Sequence, residues 1–475
     1  MSQIFFNGIN GSTGQYMVPP MADTDVVALI TGRERGEATS LPLLKGLWQK
    51  WTTPGFGLVM GSDPTQIADA GWGVVFHVDE EAAVRSALAP LIQHRMSQIR
   101  NETKVKILAY KTGQRAKEWL AGYDVARGSI EPFKVPMYLL IIGDPEKIPF
   151  QFTSDLDVEY AVGRLHFDTA EAYAHYAQSV INYETEQIVP TSKEAVLFGT
   201  QHPFDNATRL SSKNLMAPLA QGMANYPPVA TKFGFRQQSL QADEARKGAL
   251  MNALGAPSAG TAPAFLMTAT HGVPFDPTDP RQAANQGALL CQDWPALGTI
   301  DRSHYFSAQD VPLDGHVHGT IAFFFGCFSM GTPSHDQYLH RKGEAPPQIA
   351  PRSFIAQLPK TLLTHPNGGA LACIGHVERA WGTSLATSSG NPQLLPFYNA
   401  MGKILLGQPV GCALMDFNER FAALSVSLAQ KLEEREYGQE IPDWELASDW
   451  LGRNDAGGYM IVGDPAVRLR SADLK

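Results

Sequence analysis

Tyr138-Leu139-Leu140-Ile141-Ile142 is apolar at every position and is closed by Gly143-Asp144-Pro145. A strand with one wet face alternates apolar and polar side chains, whereas a strand apolar throughout is buried on both faces. Runs of strand length recur at Gly73 to Val78, Val105 to Tyr110, Val196 to Gly199 and Phe265 to Ala269. Further ones lie at Gly319 to Phe325, Ala370 to Ile374 and Tyr459 to Val462. Stretches with helical spacing separate them. The clearest is Glu80 to Arg100, with Val84, Leu88, Leu91, Ile92, Met96 and Ile99 on one face, acidic residues first and Arg late. Thr169 to Gln187, Leu210 to Asn225, Ala242 to Leu254, Ser353 to Thr364 and Pro392 to Glu436 read as helices too, with a short one at Ala116 to Tyr123. Strands separated by helices of this length imply parallel β-α-β units, hence an α/β chain with three layers.

Apolar-Gly-Asp-Pro occurs twice, at Ile142 to Pro145 and at Val462 to Pro465. Two readings stay open: a marker of two similar half-domains, or two strand-to-loop turns that need Gly and Pro.

Composition removes several classes. With 44% apolar residues in a chain of 475, a large core is available. The longest apolar runs, Met137 to Ile142 and Ile321 to Phe325, fall far short of the roughly 20 residues of a membrane helix. The first residues lack a basic segment followed by a long apolar one, so no secretory signal is read there. The net charge of −9 argues against nucleic acid as a partner. Four cysteines, Cys291, Cys327, Cys373 and Cys412, cannot build a disulfide framework, and none forms a C-x-x-C pair. A protein of a reducing cytoplasm, without membrane partner, is expected.

Ligands of open α/β sheets bind beyond the carboxyl ends of the strands. Met267-Thr268-Ala269-Thr270-His271-Gly272 brings a His to such an end, and Phe323-Phe324-Phe325-Gly326-Cys327 brings a Cys to another 56 residues later. Neighbouring strands lie about 4.8 Å apart, so the two side chains can share one cleft. An imidazole that takes up a thiol proton turns the thiol into a nucleophile. The glycines beside them leave room for a substrate backbone, and the Gly272 and Cys327 amides are the natural oxyanion donors. His-Gly followed by Gly-Cys at about this separation is the order of caspase-type peptidases. Asp276, Asp279 and Glu378 are each candidates to orient His271.

Taken together, these segments resemble the caspase-fold (clan CD) cysteine peptidases, in particular the gingipain-like family and the bacterial CHAT-type proteases. The resemblance spans roughly residues 135 to 470 and rests on several segments in order. Tyr138 to Pro149 resembles the family's strand and "GD…IP" segment. Ser154-Asp155-Leu156-Asp157 with Tyr160 to Leu165 resembles its "SD…VGR" stretch. Thr270-His271-Gly272 and Gly326-Cys327 resemble the two catalytic turns, Leu371 to Trp381 the loop with a pocket Trp, and Val462 to Ala466 the closing strand. The caspase Q-A-C-x-G signature is absent, which speaks against aspartate specificity.

The resemblance implies a caspase-like three-layer α/β/α fold with a mostly parallel sheet and two similar half-domains side by side. The expected division is an N-terminal region over 1–135, a non-catalytic half over 136–255 and a catalytic half over 256–475. It implies a cysteine endopeptidase acting on protein or peptide substrates, with Cys327 as nucleophile, His271 as base and acid, Trp381 walling the S1 pocket, and no cofactor. In that pattern an acidic residue of the earlier half enters S1, where Asp157, and after it Asp155, would pair with Arg or Lys; Glu378 stands near the same loop. CHAT-type relatives imply a bacterial defence or cell-death setting, with activation by a partner protein or an upstream protease.

Long Pro- and Gly-rich segments follow both catalytic turns, Val273 to Gly298 and Ser334 to Pro351. Arg341-Lys342 in the second is a candidate activating cleavage site. His304, His316, His318, His335 and His340 lack zinc spacing, so no metal is expected. Phe6-Asn7-Gly8-Ile9-Asn10-Gly11 is turn-rich, and Leu47-Trp48-Gln49-Lys50-Trp51 places aromatics near loops. The alternative to an enzyme is a catalytically silent caspase-like scaffold or sensor partner.

Overall fold

The structure is a computed structural model, and it describes residues 3–37, 58, 62–255, 261–340, 343–386 and 391–474. Its frame is one sheet of ten strands: β1 (Trp72–His77), β2 (Val105–Tyr110), β3 (Tyr138–Ile142), β4 (Ala161–Leu165), β5 (Ser192–Gly199), β6 (Arg236–Gln241), β7 (Pro263–Ala269), β8 (Ile321–Phe325), β9 (Ala372–His376) and β10 (Tyr459–Gly463). The order across the sheet is β2-β1-β3-β4-β10-β9-β8-β7-β5-β6. All neighbours are parallel except β9 and β10. The sheet is therefore two blocks of parallel strands running in opposite senses. The two halves expected side by side thus share one continuous sheet. The 135/136 boundary falls between β2 and β3, and 255/256 between β6 and β7; both are inside this sheet.

Helices flank the sheet: α1 (Asp23–Glu37), α2 (Ala82–Ile99), α3 (Ala170–Thr185), α4 (Leu395–Leu405), α5 (Val410–Glu436) and α6 (Asp443–Gly457). The periodicity of α2 is answered in three dimensions, because Val84, Leu88, Leu91, Ile92 and Ile99 are its buried residues. The Pro392 to Glu436 stretch is two helices, broken at Gly407, whose φ of +79° ends the first.

Both Gly-Asp-Pro turns belong to the same block. β3 and β10 lie on either side of β4 and run parallel to it, so the repeat marks two like strand ends within one parallel block of the sheet. Gly143 and Gly463 have φ of +139° and +140°, which explains the glycine at both. Asp464 of the second turn is a buried hub. Its carboxylate accepts from Trp72 Nε1 at 2.9 Å and Arg95 Nε at 2.8 Å. Arg95 in turn grips Glu184 of α3 through both terminal nitrogens, so one charged network ties α2, α3 and the end of β10 together.

Candidate active site

The two strand ends chosen from sequence are brought to one place by register. β7 and β8 are adjacent, and Ala269 pairs with Phe325. His271 and Cys327 each stand two residues beyond that rung, at the same edge of the sheet. The approach of the two turns is close. A Cβ on Gly272 would stand 1.8 Å from the Cys327 carbonyl oxygen, so only glycine fits there. Phe328, directly after the cysteine, has φ of +58° and donates its N–H to the carbonyl of Glu378, itself at φ of +74°. Two non-glycine residues in the left-handed region, bonded to each other, form the sharp turn that presents Cys327.

His271 is fully buried, and both ring nitrogens are engaged. Nε2 lies 2.7 Å from Asp205 Oδ2, and Nδ1 accepts the Gly8 N–H at 2.9 Å. A ring that accepts at Nδ1 carries its proton on Nε2 and donates it to the carboxylate. Burial alone would raise the pKa of Asp205. The His271 ring, together with hydrogen bonds from His271, Thr208 and Tyr16, outweighs burial and holds the carboxyl well below the usual carboxylate range. Asp205 also caps the helix Asn206–Ser211, accepting from the Ala207 and Thr208 amides.

Cys327 is buried too. Its Sγ accepts the Ala380 N–H at 3.3 Å. Burial pushes the thiol up to about 12, against the pull of the Ala380 amide and of Arg379. In this state the sulfur is covered.

The cover is the N-terminal segment. A Cβ built on Gly8 would lie 3.4 Å from Cys327 Sγ. Asn7 is buried, with its side-chain oxygen accepting the Gly382 N–H at 2.9 Å. Phe6 packs edge-on against Trp381, ring centroids 5.7 Å apart, and Trp381 meets Tyr338 and Trp450 at 5.2 and 5.3 Å. Residues 9 to 16 turn back as a hairpin, Ile9 bridging to Tyr16, and Tyr16 OH donates to Asp205.

The other sequence candidates lie as follows. Trp381 walls a buried aromatic box beside Cys327. Glu378 is buried and bound by Arg379, which also grips Asp336, so its carboxylate builds the loop under Trp381. Asp276 and Asp279 do not reach His271; they hold the N-terminal hairpin through Asn10 Nδ2 and Ser12 Oγ, each at 2.7 Å. Asp157 accepts from the Val162 amide at 3.3 Å, and Asp155 from Gln151 Nε2 at 2.8 Å, at the end of helix Phe150–Asp157. Burial pushes Asp157 up to about 7 against the bonds from Val162 and Asn418. No described hydrogen bond or ion pair links Asp155 or Asp157 to the residues around Cys327. Arg341, Lys342, Trp48 and Trp51 fall outside the described residues. Among the described residues no group of three or more His, Cys, Asp or Glu converges on a metal, and His318 instead bonds the Ser179 carbonyl at 2.9 Å. None of the described helices is long and apolar enough to cross a membrane.

Sequence reading missed Asp205 and the N-terminal segment. His202-Pro203-Phe204-Asp205 follows β5, the strand beside β7, so its position past a strand end was the available signal.

No curated protein matches this chain. A solved structure described as a protease superposes with a TM-score of 0.45 at 13% identity, covering 84% of this chain and 78% of that one. A complex of the pro- and mature domains of Porphyromonas gingivalis RgpB gives 0.43 at 10% identity, covering 84% and 80%. The sequence model of peptidase family C25 matches residues 78–470, which take in both strand ends and nearly the whole sheet. The chain therefore belongs to peptidase family C25, the gingipain family of caspase-fold cysteine peptidases.

Proposed function

We propose that this cysteine peptidase is an endopeptidase in which Cys327 is the nucleophile, His271 the general base and acid, and Asp205 the residue that positions His271. With its Nε2 proton held by Asp205, the ring presents an unprotonated Nδ1 on the side of Gly8. The thiol proton passes to Nδ1, and the sulfur attacks the substrate carbonyl. The Gly272 and Cys327 amides serve the oxyanion. His271 then protonates the leaving amine, and water hydrolyses the thioester. The observation that carries this reading is that one residue, Gly8, lies beside both groups: its N–H bonds His271 Nδ1, and a Cβ built on it would stand 3.4 Å from Cys327 Sγ.

Labelling with a peptidyl acyloxymethyl ketone tests it. Wild type is expected to take the label at Cys327, and Cys327→Ala and His271→Ala to lose it. Labelling at another cysteine, or equal labelling of Cys327→Ala, overturns the assignment.

Selectivity for Arg over Lys at P1 rests on the resemblance alone, because Asp155, Asp157 and Glu378 are engaged as described above. Activation by a partner or by an upstream protease, in a defence or cell-death setting, is the wider reading; the covered thiol is the feature that supports latency. A P1 peptide library tests the first, and addition of candidate proteases to the intact chain tests the second.

A further inference from the structure

The N-terminal segment does more than cover the thiol, because it lies there as a peptide substrate would. In peptide hydrolysis the residue before the scissile bond offers its carbonyl to the sulfur, and the nitrogen after it must face the imidazole that will protonate it. Gly8 N stands 2.9 Å from His271 Nδ1, within proton-transfer reach, and a Cβ built on Gly8 would stand 3.4 Å from Cys327 Sγ. The carbonyl attached to that nitrogen belongs to Asn7. The Asn7 side chain is buried and held by the Gly382 amide at 2.9 Å, one residue beyond Trp381. Phe6 fills the aromatic box of Trp381, Tyr338 and Trp450. Beyond the bond, the hairpin of residues 9 to 16 is tied down through Asn10–Asp276, Ser12–Asp279 and Gly11 N to the Pro274 carbonyl at 2.7 Å. Both sides of one peptide bond are thus anchored, and its nitrogen sits at His271 Nδ1.

We propose that the Asn7–Gly8 bond is this enzyme's own cleavage site, and that the cleft takes substrates with an aromatic residue, then a small carboxamide residue, then Gly. The proposal rests on the Cys327/His271 reading and deepens it. The Cys327 proton moves to His271 Nδ1 and Sγ bonds the Asn7 carbonyl carbon. The C–N bond to Gly8 breaks as His271 returns the proton to Gly8 N. Water then supplies OH to the Asn7 carbonyl and H to the sulfur. The products are a segment ending in the Asn7 carboxylate and a chain beginning with the Gly8 amine. Phe6 and Asn7 are free to leave the box, which opens the cleft to other substrates.

The test is intact-mass and N-terminal sequencing of the full chain, as purified and on incubation, for wild type, Cys327→Ala and Asn7→Arg. Hydrolysis of a denatured protein is followed in parallel. Wild type is expected to begin at Gly8, Cys327→Ala to keep its full mass, and Asn7→Arg to be processed at least tenfold more slowly. The Cys327→Ala arm also separates enzymatic cleavage from spontaneous Asn-Gly scission, which needs no thiol. A wild-type chain that hydrolyses the added protein but keeps its N-terminus, or is cut elsewhere, overturns the proposal and leaves the dyad standing. Faster processing of Asn7→Arg overturns the carboxamide preference in favour of a basic one. Gly8 appearing equally in Cys327→Ala overturns self-cleavage. Hydrolysis of the added protein by Cys327→Ala overturns the dyad itself. A wild type that shows neither activity counts against both.

Discussion

Asp205 and His271, 66 residues apart in the chain, stand 2.7 Å from each other with both side chains excluded from solvent. Asp205→Asn is the informative change, because Asn is as good a helix N-cap and keeps the local fold. Its amide donates toward Nε2 and so favours the tautomer with the proton on Nδ1, which removes the base. kcat/KM is expected to fall about a hundredfold or more, with the thermal midpoint nearly kept. A pH profile unchanged in shape and height would deny Asp205 this role.

Phe6 anchors the covering segment in the box with Trp381. Truncation forfeits ring burial and the edge contact, together about 2–4 kcal/mol. In a Phe6→Ala chain the segment is expected to lift. Alkylation of Cys327 by iodoacetamide at pH 8, followed by peptide mapping, should be at least tenfold faster than in wild-type chain whose N-terminal segment is still attached.

Gly272→Ala places a methyl group 1.8 Å from the Cys327 carbonyl oxygen. The two catalytic turns must separate to admit it. Hydrolysis is expected to drop by about two orders of magnitude, since small misplacements at reacting groups are costly. Calorimetry is expected to show a loss of stability of about 1–3 kcal/mol, as for other overpacked sites.

Asp157→Asn is expected to leave the P1 profile of a peptide library unchanged. Its effect falls on stability. A carboxyl whose pKa is raised by folding, here to about 7, costs stability progressively as pH rises from about 4 to about 7. The substitution is therefore expected to raise the thermal midpoint at pH 8 and to leave it unaltered at pH 4. A shifted P1 profile would restore Asp157 to the substrate pocket.

Glu184 behaves in the opposite sense. Burial raises its pKa, but Arg95 and His94 overcome burial and hold the carboxyl at about 2. A depressed acid stabilises the fold above its unfolded value and loses that contribution as pH falls. Urea unfolding is expected to show stability declining from about pH 4.5 toward 2, and a flatter profile in Glu184→Gln with lower stability at pH 7.

Much of this was legible in the residues because buried parallel strands are apolar throughout. Tyr138–Ile142 is found as expected, and the ends of β7 and β8 carry the anticipated His and Cys. β4 escaped because Gly163 and Arg164 interrupt it. A Cβ at Gly163 would strike the Gly463 carbonyl, and Arg164 is buried against the Ile148 carbonyl. β6 escaped because Arg236-Gln237-Gln238-Ser239 is polar, as an edge strand can be. Asp205 reads as an ordinary helix cap, which it also is, and nothing local reveals that a second partner arrives from β7. The same holds for Phe6 to Gly8, whose turn-rich composition hides contacts made to residues more than 260 positions away.

The single antiparallel junction of the sheet also sets a clock. β10 lies in the middle of the sheet, between β4 and β9, yet is supplied by residues 459–463. Cys327 and His271 are translated long before the strand that joins their block to the other. Until it emerges, β9 has an open edge and Asp455, which bonds the Trp381 amide at 2.9 Å, is not yet made. The cleft is therefore completed only after residues 459–463 have left the exit tunnel.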